Sequence, residues 1–162
     1  MHFCILFQLI RRVLQEAPDR MEEIAKEAKF NNKPFFGAKK KRMKLMEEVC
    51  CIHTAIAIYA ANCSFKLEEC KPVIDGFLQI LQKYMLGILE KHNPKFPDTY
   101  ASRMQEYFGM FTEENPGIAI SFAFLNHLHG KPQLDLEGQT VLAVRFSKAM
   151  SAGVNSMRAM SG

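Results

Sequence analysis

Apolar residues recur along this chain at helical spacing, and strand-like alternation is nearly absent. FCILFQLIRRVLQEA (3–17) carries a helical apolar stripe that ends at Pro18. DRMEEIAKEAKF (19–30) begins with acids and ends with Lys, the order a helix dipole favours. NNKPFFGA (31–38) supplies Asn, Pro and Gly and reads as a loop. A long helix is predicted over about 39–63, broken by Ser64 or by Lys71-Pro72, with Pro72 in the first turn of the next helix. VIDGFLQILQKYMLGILEKHN (73–93) then places Ile74, Phe77, Leu78, Leu81, Tyr84, Met85 and Ile88 on one broad face. NPKFP (93–97) interrupts the pattern again. DTYASRMQEYFGMF (98–111) is a shorter helix with Tyr100, Met104, Tyr107, Phe108 and Phe111 on one side.

ENPG (114–117) opens IAISFAFLNHLH, which is apolar all round, stops at Gly130, and contains the one stretch (IAISFAF) whose period also fits a strand. A last helix covers about 134–157, with Leu142, Phe146 and Met150 opposed to Arg145, Lys148 and Arg158. No repeat of 20–50 residues is visible. The pattern predicts an all-α, single-domain bundle of six or seven helices over residues 1–157, with 158–162 a frayed tail. Residues 45–63 and 118–128 are its expected centre.

On a helical wheel Leu45, Val49, Ile52, Ile56, Tyr59 and Cys63 fall within about 40° of one line. They form a packing seam. EEVCCIHTAIAIYAANC (47–63) also holds three cysteines and a histidine, which raises the question of a thiol or metal site. Cys50 and Cys51 point apart on the wheel, and Cys63 lies roughly 20 Å along the axis from Cys50. Only Cys50 and His53 share a flank. A tetrahedral zinc site needs three or four ligands, so His127 and His129 would have to join them. CC-x-H lacks the CxxC and HExxH spacings of metal sites, and free Cys packs as a small hydrophobe, so a buried structural role is expected. His127 and His129 close an apolar helix, where His meets exposed carbonyls favourably.

Composition is that of an ordinary globular protein: 48% apolar and 23% charged. Five cysteines with no secretory pattern before them lead to an expectation of reduced thiols and a cytoplasmic, soluble protein. The net charge of +4 lies in the first fifty residues, where eleven Lys/Arg face seven Asp/Glu. Lys39, Lys40, Lys41, Arg42 and Lys44 concentrate it. The run reads first as the solvated start of a long helix; because cations are disfavoured there, it is also a candidate contact for phosphates of nucleic acid or for an anionic membrane surface. The pairs Glu22-Glu23, Glu47-Glu48, Glu68-Glu69 and Glu113-Glu114 are each read as acids near a helix start. No Glu has His three residues later, as a di-iron bundle requires, and no GxSxG, P-loop or dinucleotide-binding glycine pattern occurs.

Within MEEIAKEAKFNNKPFFGAKKK (21–41), which can be drawn as helix, turn and second helix, IAKEA is similar to the first helix of the helix-turn-helix in tetracycline-repressor-like regulators. The resemblance implies a DNA-binding regulator whose C-terminal helices form a ligand or dimer domain. Lys29 stands where the turn glycine belongs, and Pro34 and Gly37 fall in or near the recognition helix. With no catalytic constellation or cofactor motif, the residues favour a non-enzymatic module acting through another protein or through self-association. A metal- or small-ligand-binding helical protein using a His/Cys cluster is the further alternative.

Overall fold

The computed structural model describes residue 11 and residues 20–30, 38–132 and 135–159, apart from the side chains of Ala38, Leu67, Glu69, Tyr84 and Met85. Among these residues there are seven α-helices and no strand: α1 (Met21–Glu27), α2 (Ala38–Ser64), α3 (Leu67–Leu81), α4 (Gly87–His92), α5 (Phe96–Met110), α6 (Pro116–His129) and α7 (Leu136–Arg158). The all-α bundle predicted from the pattern is therefore observed. The predicted helix at 3–17 and the loop at 31–37 lie outside the described residues.

Helix α2 is the axis of the bundle and touches all six of the other helices. This follows from its sequence. Neighbours on every side exclude water from the Leu45, Val49, Ile52 and Ile56 seam and equally from Cys50 and Cys51 on its two flanks. The seam ends earlier than the wheel indicates: Tyr59 is only half-buried and Cys63 is exposed, although Ala60 and Ala61 between them stay buried against the neighbouring helices.

Ser64 stops α2, its hydroxyl donating back to the Ala60 carbonyl at 2.7 Å. The next helix begins at Leu67, so Pro72 lies inside α3 and not in its first turn as the sequence implied. A second correction concerns 73–93. A π-helical turn at Gln82–Leu86 joins α3 to α4 and inserts one extra residue into the helical count. The apolar face then moves by one position. Leu89 is fully buried, whereas Ile88, the residue the regular period selects, is 53% exposed.

Helix α6 starts with Pro116 and ends at Gly130, which adopts φ 72, a left-handed cap conformation that favours glycine. The ambiguous IAISFAF is helical. The helix is not buried all round, since Ile118 and Phe122 are 52% and 42% exposed. Asp135 caps α7 by accepting from the Gly138 amide at 3.2 Å, and Phe124 of α6 meets Phe146 of α7 edge to face. Arg145 on α7 is held to α1 by a two-pronged contact with Glu27 and a further bond to Glu23. Among the described residues no helix is long and apolar enough to cross a membrane.

Candidate functional site in the cleft between helices 2 and 5

The most distinctive chemistry of the fold is a group of charged side chains packed between α2, α5 and α6. Glu48 projects from α2 at about 60° from the centre of the seam, inside the arc that is buried. Its side chain is only 5% exposed, and both carboxylate oxygens accept from Nε of Arg103, at 3.2 and 3.3 Å. The buried Tyr107 hydroxyl sits 3.5 Å from the same carboxylate. Arg103 and Tyr107 are four residues apart on α5 and so face α2 together. Arg103 also approaches Glu106 at 3.8 Å, and Glu106 accepts from His127 Nε2 on α6 at 2.7 Å. A chain of contacts thus runs Glu48–Arg103–Glu106–His127 across three helices.

Burial sets the protonation of these groups. It raises the Glu48 pKa above the usual carboxylate value, and the Arg103 charge opposes that rise. Neighbouring Glu47 is also raised by burial, against a hydrogen bond from Asn93 Nδ2 at 3.2 Å. His127 is lowered, first by burial and then by the Arg103 charge, which together outweigh Glu106. It is therefore a neutral imidazole near pH 7. Since a carboxylate only accepts, Nε2 carries the proton.

A pH dependence follows. An unfolded chain protonates its histidine near 6.5, where folded His127 is still neutral. The unfolded state then binds more protons, so the His127 contribution is complete above 6.5, begins to decline below it, and is lost as the pH falls through the lower folded value. Glu47 and Glu48 act oppositely: the folded state takes up their protons first, which favours folding as the pH falls through their raised values. As the pH is lowered from 7.5 to 5, the urea midpoint of the wild type is expected to fall relative to that of His127→Gln, which lacks this contribution. A pH slope unchanged in the variant would contradict the assignment.

Above this floor opens a cavity of about 770 Å³. Glu47, Glu48, Asn93, Thr99 and Arg103 form its base, Met43 gives an apolar wall, and Lys39, Lys40, Lys44 and His92 stand around it. Four Lys and Arg side chains face two carboxylates, a local excess of +2 before His92 is counted. The volume lies within the roughly 300–1,000 Å³ range of small-molecule pockets. Arg103 spends its Nε on Glu48, one terminal nitrogen lies 3.8 Å from Glu106, and the residue lines the cavity.

The residues singled out from the sequence fall into two sets. Cys50 is fully buried, and burial pushes its thiol up to about 12, so it is an inert core thiol. His53 is half-buried on α2. His127 is bound to Glu106, and His129 Nε2 lies 3.0 Å from the Ala28 carbonyl. Among the described residues no three His, Cys, Asp or Glu side chains are placed to hold a metal ion. From the basic run, Lys39, Lys40, Lys41 and Arg42 are exposed and Lys44 is half-buried.

Glu47-Glu48 is the pair whose reading changes. It lies ten residues inside α2, away from any helix start, and forms the cavity floor. Arg103, Glu106 and Asn93 were not indicated by any motif. Two signals could have exposed them: acids within a buried helical arc, and an arginine on the same face of 98–111 as Tyr107.

Compared with protein-family models, curated proteins and solved structures, the chain gives no match.

Proposed function

We propose that this protein is a non-enzymatic regulatory module that binds a small organic anion, of the carboxylate class, in the cavity between α2 and α5. The observation that carries this reading is the cavity floor. A buried Glu48–Arg103 pair is an expensive way to hold two helices together, since desolvating both charges offsets most of their attraction. Its arrangement makes sense where the guanidinium must be held, with Nε occupied, so that its remaining donors present a fork to a ligand carboxylate. The local excess of positive charge supports an anion over a cation. The chain through Glu106 to His127 couples a ligand on Arg103 to α6, which is how occupancy would alter a surface elsewhere. Titration calorimetry with benzoate, glutarate and citrate tests the reading. Saturable binding of at least one, abolished in Arg103→Met, is the expected result, and no binding by any of the three contradicts it.

Contact with another protein is the second reading, and the apolar exposure of α6 favours it. Ile118 and Phe122, four residues apart, stand side by side on that helix with about half of their surface in water. Ligand binding and partner contact are compatible in one regulatory module.

A further inference from the structure

We infer a second anion site, distinct from the larger cavity: the hollow beside the first turns of α2 binds the phosphate groups of a small phosphorylated molecule. This hollow of about 450 Å³ is lined by Lys40, Lys41 and Lys44 together with Phe30, Leu128, His129 and Lys29. Among the described residues no carboxylate lines it. Lys29 turns out of the hollow to pair with Asp135 and Glu137, each at 3.0 Å, so its charge is already answered. Lys44 lies in the field of Glu47 and Glu48, whereas Lys40 and Lys41 face no carboxylate on the hollow's wall among the described residues.

Two physical costs meet there. Three ammonium groups spaced within five residues repel one another, and Lys40 and Lys41 sit in the first turn of the 27-residue helix α2, at its positive end, where there is no acid. Proteins ordinarily place acids at that position. A bound dianion relieves both costs at once, and an ammonium cluster suits phosphate because each Lys offers three donors and a compact charge. The other wall is aromatic and supplies a surface for the body of the ligand: Phe30 and the His129 ring meet edge to face at 5.7 Å, with Leu128 beneath. The His129 Nε2 proton is donated to the Ala28 carbonyl, which fixes the ring in that position.

Lys40 and Lys44 form the ridge shared by the two cavities, whereas Lys41 lines only the hollow and Lys39 only the larger cavity. That separation provides the test. Inorganic pyrophosphate is titrated calorimetrically into the full chain at low and at high salt, with wild type, Lys41→Gln and Lys39→Gln. Both lysines are exposed, so both variants keep the fold. Saturable binding in the wild type is expected, weakened about tenfold by Lys41→Gln, as the loss of one charge-assisted hydrogen bond implies, and less than twofold by Lys39→Gln. Absence of saturable binding overturns the inference. Equal weakening by the two variants also overturns it, because it would mean a diffuse basic surface. A parallel arm offers duplex DNA and phosphatidylserine vesicles: if either binds with a steep salt dependence while pyrophosphate neither binds nor competes, the run reads a macromolecular surface and the small-phosphate site is wrong. Because Lys40 and Lys44 are shared, the contrast between Lys41→Gln and Lys39→Gln is what separates this site from the larger cavity.

Discussion

Arg103→Met is expected to destabilise the fold by about 3 kcal/mol at pH 7.5, near the lower end of the range for breaking a buried ion pair. Glu48 would keep its place, 5% exposed, with its counter-charge gone. The lower end applies for two reasons. Arg103 retains 20% of its side-chain surface in water, and Glu48, already raised by burial, escapes part of the penalty by taking up a proton. The loss should therefore shrink as the pH is lowered, since the variant's folded state gains that proton while the wild type still holds the ionised pair. Adding Glu48→Gln should restore most of the stability, because a neutral amide in that position carries no unpaired charge. Urea denaturation of the wild type, the two single variants and the double variant at two pH values measures all of this. A double variant as unstable as the sum of the singles would mean that the two side chains act separately.

The second large effect lies in the spine. Ile52→Ala should cost about 2–5 kcal/mol, the range for deleting a large buried aliphatic side chain where the surroundings cannot collapse. Ile52 has no exposed surface and sits midway along the helix that every other helix touches. Cys63→Ala, at the far end of the same wheel line, should change stability by no more than about 0.5 kcal/mol, because Cys63 is exposed. Denaturation midpoints of the two variants separate the buried seam from its continuation. Similar losses at both positions would place the edge of the core elsewhere.

These residues also show what the sequence could and could not reveal. The seam was legible because period and burial agree over Leu45 to Ile56. Its exposed end at Cys63 was not, since a wheel gives direction around a helix but no information on which of its faces the neighbours cover at each level. Ile88 and Leu89 exchanged roles for a similar reason. The π turn at Gln82–Leu86 shifts the count by one, and no proline or glycine pattern in that stretch announces it. Glu47 and Glu48 were obscured because adjacent acids have a common explanation near helix starts, and only the true start at Ala38 removes that explanation. Glu48, the Arg103–Glu106 pair and His127 come from three separate helices, and only tertiary packing joins them. The metal alternative rested on Cys50, His53, His127 and His129 as neighbours, yet the strongest contacts of the two later histidines are a glutamate and a backbone carbonyl.

The account rests on the cavity between α2 and α5 as a ligand site. Its most direct test is a nuclear magnetic resonance titration with benzoate, glutarate and citrate, following the Arg103 Nε–H signal and the Met43 methyl. At least one of the three should move both signals along a single saturable curve and leave the exposed Ile88 methyls on α4 unchanged. Saturable binding that leaves Arg103 and Met43 unmoved, or no binding by any of the three, would contradict it.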